Sequence, residues 1–347
     1  MIRIGIVGTG GMANAHAQEF LKIKGCKITA VCDVDAGRAA AFGDKYDVKK
    51  RFGQFGEMLD SGTVDAVSIV TPDGSHAPLS LMAIAAGRHV LCEKPLATNY
   101  RDASKMARAA QEKGIINMIN FSYRNSSAIQ KAASIVHSGQ LGRVSHVHGA
   151  YLQSWLASKV WGDWKTTPAW LWRLSTKHGS RGVLGDVGVH LLDFATFPVG
   201  PVKTIEATLK TFPSLKGKRM SGYDLDANDS ALMTVEFAGG ALGSLHTTRW
   251  ATGYANSVSL VVHAELGAIR IDLDRSYTEL EICEGADRDT CTWRKLDCGK
   301  TPNMYERFVH SIRKGVNDQP DFARGAAIQK VLDACFRSHE TGQLVKI

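Results

Sequence analysis

Long apolar runs are missing from this chain of 347 residues: none approaches the ~20 residues that a bilayer-spanning helix needs, so no membrane span is expected. No C-x-x-C pair occurs among its seven cysteines. Cys26, Cys32 and Cys92 lie in or beside expected buried strands, where a free thiol acts as a small hydrophobe. Cys283, Cys291 and Cys298 are closer together but lack histidines at ligand spacing, so neither a disulfide framework nor a metal site is expected. The excess of basic residues, a formal +8, is scattered rather than gathered on a helix or an aromatic platform. That argues against a nucleic-acid partner and fits a mildly positive cleft for anionic groups. The densest basic group, Lys216-Gly217-Lys218-Arg219, reads as a loop. No leader with a basic start and a cleavage site is visible, nor any repeat, and a cytoplasmic enzyme is expected.

What is present is an ordinary globular balance, 44% hydrophobic and 22% charged, over a length that suggests two domains. Through about residue 122, short apolar strands alternate with helical stretches, the pattern of a parallel sheet. Strands are expected at 2–7, 27–33, 64–70, 88–92 and 115–119, with helices at 12–22, 36–46, 76–86 and 100–113. Gly25, Gly87 and Gly114 each follow a helical stretch, where a left-handed turn is expected. From 123 to 347 the rhythm changes. A helix at 126–137 and a strand at 144–153 precede an irregular stretch with Trp155, Trp161, Trp164, Trp170 and Trp172. Then come a glycine-rich lead-in, a helix ending near 197, and six strands between 204 and 283 with no helices among them. Gly239-Gly240 reads as a hairpin turn, and two amphipathic helices, 303–314 and 324–338, follow. The expected fold class is α/β: a Rossmann domain (1–122) plus an α+β domain (123–347) with an open, largely antiparallel sheet. The final helices are free to pack back on the first domain.

Gly8-Thr9-Gly10-Gly11-Met12-Ala13 follows the first strand at once and fits G-x-G-x-x-A. Gly8 permits the tight turn, Gly10 lets backbone approach a pyrophosphate, and Ala13 allows close helix–strand packing. Phosphate then meets the unpaired N–H groups of the helix beginning near Met12. Asp33, twenty residues past Ala13, closes the second strand where an acid would bond the adenosine ribose. Its charge repels a 2′-phosphate and favours NAD, with NADP possible because Arg38 either folds back onto such a phosphate or stays solvated on its helix.

Three further stretches carry chemistry. Thr71-Pro72-Asp73-Gly74-Ser75-His76 leaves a strand beside the expected cofactor path, with His76 either facing that path or filling the next helix's first turn. Glu93-Lys94-Pro95 ends an apolar run, at the sheet edge where open α/β folds bind ligands. Asp186 and His190, four apart, share one helix face, with Asp193 a turn further along. A histidine titrating near neutrality suits transfer of a hydroxyl proton, an aspartate orients it or stabilises its charge, and Lys94 bonds the reacting oxygen or relays the proton. A surface ion pair, or a metal set of Asp186, His190 and Asp193, are the competing explanations of the same spacing.

In this order and spacing, the glycine turn, Cys92-Glu93-Lys94-Pro95 and Gly185-Asp186-Val187-Gly188-Val189-His190-Leu191-Leu192-Asp193 resemble the Gfo/Idh/MocA family over nearly the whole chain. The resemblance implies NAD(P)-dependent oxidation or reduction at a secondary alcohol or ketone of a sugar, sugar derivative or cyclitol. It puts Lys94, Asp186 and His190 in the catalytic positions, Glu93 on the cofactor side, and a frequently cis bond at Lys94-Pro95. It also implies assembly through the open sheet, as a homodimer or homotetramer. Tyr123 or Arg124 is expected to face the cleft, Trp172 and Arg173 to lie near substrate, and most tryptophans to be structural. Reduction of a cyclic or unsaturated non-sugar compound is the alternative activity, and a dinucleotide-sensing regulator without catalysis the alternative class.

Overall fold

Alternating apolar stretches separated by helical ones build a six-stranded, wholly parallel sheet in the computed structural model. The structure describes residues 1–212, 214 and 217–347, and at 168 and 169 the backbone alone. The strands are β1 (Ile2–Val7), β2 (Cys26–Cys32), β3 (Lys50–Phe52), β4 (Ala66–Ile69), β5 (His89–Cys92) and β6 (Asn117–Ile119), in the order β3-β2-β1-β4-β5-β6. That is the doubly wound order whose reversal, between β1 and β4, opens a ligand crevice at the strands' carboxyl ends. The intervening helices are α1 (Gly11–Lys22), α2 (Ala36–Lys45), α3 (Phe55–Asp60), α4 (His76–Ala85) and α5 (Tyr100–Lys113). The sequence pattern missed β3 and α3 because each is a single short turn or edge, too brief to show a period. Gly25, Gly87 and Gly114 all have positive φ, as their positions after helices predict.

Residues Met1–Ser122 and Pro302–Gln329 form one compact unit, and Tyr123–Thr301 with Lys330–Ile347 form the other. The first unit's core joins Ile4, Ile6, Ala13, Ala17 and Phe20 to Tyr305, Phe308 and Val309. The segment that supplies these last three starts at an Asn303–Glu306 capping box, and its helix Met304–Lys314 buries one stripe.

In the second unit, α6 (Ser127–His137) leads into β7 (Val144–Gln153), and α7 (Val189–Val199) into β8 (Val202–Lys210). A small hairpin, β9 (Arg219–Met220) and β10 (Tyr223–Asp224), precedes β11 (Ser230–Phe237), β12 (Leu242–Thr248), β13 (Asn256–Ala264), β14 (Gly267–Asp272) and β15 (Glu279–Glu284). The short helix α8 (Asp287–Thr290), then β16 (Arg294–Asp297), α9 (Met304–Lys314), α10 (Phe322–Thr341) and β17 (Val345–Lys346) complete the chain. Nine strands form one sheet in the order β16-β15-β14-β13-β7-β12-β11-β8-β17. Only β12 and β7 pair in parallel among these neighbours; the other pairs are antiparallel. Alternation sets the two faces: Val147, Gly149, Tyr151 and Gln153 of β7 are buried while His146 and His148 are exposed. Gly239-Gly240 turns β11 into β12, with Gly240 at φ 88°. Of the basic group at 216–219, Lys216 lies outside the described residues.

Candidate active site

Each unit carries its own part of the chemistry. In the first, β1 delivers the chain to Gly8, whose φ of 86° belongs to the left-handed region. A Cβ there would stand 2.8 Å from both Thr71 Cγ2 and the Val70 carbonyl oxygen, so the crossing of the β1 and β4 ends requires glycine. Gly10 caps α1 without any side-chain hydrogen bond, and the first turn holds no acid. A Cβ on Gly10 or Gly11 would meet nothing within 4 Å, so open space lies over these unpaired N–H groups. Met12 is exposed at the same turn, and Ala13 is fully buried against the sheet. A helix start with free donors, no competing anion and room above it fits a pyrophosphate.

Asp33 follows β2 and is met by four donors: Thr9 N–H and Oγ1 at 2.8 Å each, Asp35 N–H and Arg38 Nη2 at 2.9 Å each. Burial works against its charge, but Arg38 and the Asp35 and Thr9 donors outweigh it and hold the carboxyl at about 2. Arg38 therefore lies on Asp33 rather than free on its helix, with its guanidinium half exposed. Asp33 and the open glycine turn together fit NAD, with the acid toward the ribose.

Thr71 and Pro72 leave β4, and His76 opens α4 almost completely buried. Its Nδ1 lies 2.7 Å from the Pro95 carbonyl oxygen and its Nε2 2.8 Å from that of Thr71. Carbonyls only accept, so both ring nitrogens donate and the ring is an imidazolium. Burial would lower its pKa; Cys92 and the Pro95 carbonyl raise it to about 10. His76 thus occupies the helix's first turn as a charged brace between the Thr71-Pro72 loop and the Lys94-Pro95 segment, whose bond is cis.

Glu93 is buried beneath that segment. Oε1 accepts from His16 Nε2 at 2.9 Å and Asn120 Nδ2 at 2.6 Å, and Oε2 accepts from the Lys94 N–H at 3.1 Å. His16 Nδ1 reaches Ser68 Oγ at 2.8 Å, and the Tyr305 ring stands edge-on to His16. Burial raises the Glu93 pKa, yet His16, Asn120 and Lys94 bring it down to about 2. Lys94 itself is half-buried.

In the second unit the sequence's helix face takes another form. Leu184–Gly188 is a π-helical turn that runs directly into α7. Its start is held by Asn228, which accepts from Val183 N–H through its carbonyl and from Leu184 N–H through Oδ1. The wider turn rotates Asp186 off the α-helical i,i+4 face, as π turns at functional sites commonly do. Arg249 Nη2 donates to its Oδ2 at 3.0 Å, and Arg173 Nε stands 3.6 Å from the same oxygen. His190 itself is 7% exposed and meets the Tyr123 ring edge-on at 5.1 Å.

Tyr123, Tyr151 and Asn256 close a small ring of hydrogen bonds beside His190. The two hydroxyls are 2.5 Å apart, Asn256 Nδ2 donates to Tyr123 Oη at 3.0 Å, and Tyr151 Oη donates to Asn256 Oδ1 at 2.9 Å. Arg124 has a different post: it forks onto Asp193 at 2.6 and 2.7 Å and lies 3.4 Å over the Phe197 ring, almost fully buried. Asp193 is thereby matched to a buried cation. Among the described residues, no group of three or more His, Cys, Asp or Glu side chains is arranged to hold a metal. Trp155 and Trp164 are buried with Leu171, Leu174 and Leu225, and Trp161 stacks on Trp170. Trp172 is 36% exposed, and Arg173 lies over both it and Trp170, at 4.5 and 5.0 Å.

Sequence patterns gave no role to His16, Asn120, Tyr151, Asn256 or Arg249, although Asn120 opens the segment that resembles the family's linker, because their partners lie tens of residues away.

Comparison with known proteins agrees with this arrangement. Residues 2–121 match the family described as an oxidoreductase family with an NAD-binding Rossmann fold, and residues 129–270 match the GFO/IDH/MocA C-terminal domain. The levoglucosan dehydrogenase of Pseudarthrobacter phenanthrenivorans is 26% identical over 96% of this chain and 87% of its own. The D-glucoside 3-dehydrogenase of Escherichia coli is 26% identical over 100% of this chain and 97% of its own. In fold, a levoglucosan dehydrogenase solved in complex with NADH and levoglucosan superposes with a TM-score of 0.89 at 24% identity, covering 100% of this chain and 99% of that one. A turn built for a dinucleotide, the EKP lysine and the aspartate–histidine segment thus have one common explanation: this chain is an NAD-binding oxidoreductase and belongs to the GFO/IDH/MocA family.

Proposed function

We propose that the protein transfers hydride between a secondary alcohol and its ketone on a neutral sugar or cyclitol, with NAD preferred over NADP. The observation that carries this reading is the Asp186–His190 segment: an acid and an imidazole on adjoining turns, with the imidazole against a tyrosine wall. Relatives that are full-length matches act, by their names, on levoglucosan and on D-glucosides, both rich in secondary hydroxyls.

Bound NAD supplies the hydride acceptor, held by Gly8, Thr9, Gly10, Gly11 and Met12 at its phosphates and by Asp33 at its ribose. Thr71, Pro72 and Glu93 shape the wall on that side, with His76 bracing the loops. The chain's own groups handle the proton and the charge. Lys94 donates to the reacting oxygen and stabilises its alkoxide character, His190 takes or returns the hydroxyl proton, and Asp186 keeps a negative charge close by that favours the protonated imidazole. These groups titrate as a coupled set, so the pH profile belongs to the trio. Tyr123, Trp172 and Arg173 serve the substrate's other hydroxyls. Asp33 within its donor set supports NAD, because a 2′-phosphate would bring a second anion to the same carboxylate.

We further infer that copies associate through the open face of the nine-stranded sheet, where Leu232 and Leu242 are 62% and 52% exposed, and that the enzyme works in the cytoplasm.

A screen of cofactor reduction at 340 nm over levoglucosan, methyl glucosides, myo-inositol and sugar acids, with NAD and NADP in parallel, tests the reading. Turnover of at least one of these with NAD is expected; turnover confined to an enone would overturn it. On the sugar turned over, Lys94→Ala is expected to lower kcat by about 10³-fold, with NAD affinity changed by no more than about threefold.

A further inference from the structure

Arg249 lies just past β12 and is completely buried. Its backbone is pinned on both sides: its N–H donates to the Asp229 carbonyl at 3.0 Å and its carbonyl accepts from Leu156 N–H at 3.2 Å. Its guanidinium is pinned as well. Nη2 donates to Asp186 Oδ2 at 3.0 Å, Nη1 donates to the Arg173 carbonyl at 3.0 Å, and the Trp155 ring stands 5.0 Å away. The charged and titratable groups around this contact include Asp186 itself, Arg173, Asp229 and Tyr151 on β7. Burial pulls the Arg249 pKa down, and Asp186 raises it, followed in strength by an opposing effect of Arg173. A guanidinium nonetheless keeps its proton in a protein. The Asp186 oxygen is therefore paired with a permanent cation that is buried from water and held at both terminal nitrogens.

We propose that Arg249 is a positioning residue for hydride transfer: it fixes the Asp186 carboxylate in place and ionised, so that His190 works beside an unchanging negative charge. The proposal rests on the roles given above to Asp186 and His190. Two features separate it from simple core packing. Arg249 addresses one carboxylate oxygen rather than forking across both, which sets a direction for the group. Arg173, the second cation at that oxygen, is partly exposed, stacked on exposed Trp172, and free to exchange with solvent in a way that Arg249 is not. The fully buried arginine supplies the constant part of the field.

The test uses four variants of the full chain: Arg249→Gln, Arg249→Lys, Asp186→Asn and the double variant Arg249→Gln/Asp186→Asn. Two readouts are taken: a carbon-13 carboxylate titration, with the Asp186 signal assigned by its loss in Asp186→Asn, and the pH profile of NADH formation with levoglucosan. Removing the cation should raise the Asp186 titration by about 1–2 pH units, move the acid limb of kcat/KM the same way, and lower kcat about tenfold with little change in KM. Arg249→Lys keeps the charge and should recover most of the titration shift. The double variant should turn over no more slowly than Asp186→Asn, because Arg249 acts through Asp186. A folded Arg249→Gln with Asp186 titrating as in the wild type would overturn the proposal. So would a double variant slower than Asp186→Asn, a comparison that survives even if Arg249→Gln alone fails to fold. The carboxylate titration decides the matter without turnover of levoglucosan. Wild-type turnover by Asp186→Asn with the titration shift intact would instead remove Asp186 from the reaction and leave its pairing with Arg249 standing.

Discussion

Glu93 in the first unit is answered by groups that can be rearranged, whereas Asp193 and Asp186 in the second are answered by guanidinium groups. Glu93 takes its hydrogen bonds from an imidazole, an amide and a backbone N–H. Asp193 and Asp186 take theirs from guanidinium groups, Arg124 and Arg249, each buried. An imidazole titrates and an amide carries no charge, so Glu93 is held by dipoles and one adjustable partner. A guanidinium stays charged at every accessible pH, so its presence favours the ionised carboxylate and its removal withdraws a fixed charge. Glu93 is thus held by a network with one adjustable member, and Asp193 and Asp186 by fixed charge.

The largest effect should come from the more rigid region. Arg124→Met, which strands Asp193, is expected to destabilise the protein by about 3–5 kcal/mol, read as a drop in the urea midpoint. Arg124→Met/Asp193→Leu should recover most of that loss, since replacing both partners removes the unpaired charge. A single variant no less stable than wild type would dissolve the contrast between the two units.

Glu93→Gln should cost less at neutral pH and change the acid response more. The Glu93 pKa is depressed from 4.5 to about 2 in the folded chain, so its contribution is complete above the unfolded value. It is lost as pH falls from about 4.5 toward 2, a change of about 3 kcal/mol at ~1.4 kcal/mol per unit. In Glu93→Gln, unfolding free energy should fall less steeply across that window. An identical slope in the two proteins would show that Glu93 is not held ionised by His16 and Asn120.

The smallest of these effects concerns Asp33, the first unit's own guanidinium-paired acid. Asp33→Ser removes the carboxylate that engages Arg38, and Arg38 then becomes available to a 2′-phosphate. The ratio of kcat/KM for NADP to that for NAD should rise by roughly 10-fold. An unchanged ratio would take Asp33 out of cofactor choice.

These contrasts also mark what could be read from the chain alone. The glycine turn, the EKP segment and the strand–helix alternation of the first unit, apart from β3 and α3, were legible because each is local: a strand, a tight turn and a helix follow one another within about twenty residues. The nine-stranded sheet was legible in kind, through period-2 burial, but not at its edges. β16 and β17 are short and charged, and they gain their place from a neighbour rather than from any pattern of their own. The site was legible only where its members share a segment. Lys94, Asp186 and His190 announce themselves by motif, yet the groups that hold them are remote in sequence. His16 reaches Glu93 across 77 positions, and Arg249 reaches Asp186 across 63. The π turn was hidden for another reason: Gly185-Asp186-Val187-Gly188 permits both α and π winding, and the Asn228 contact at its start comes from a distant loop.

The shared action of Lys94 and His190 on one hydroxyl is tested most directly by a crystal structure of the protein with NAD and the sugar it turns over. The Lys94 amine and a ring nitrogen of His190 should each lie within about 3.2 Å of the same secondary hydroxyl oxygen. A bound, reactive sugar whose hydroxyl meets one of these groups while the other stands more than one bridging water away would contradict the account.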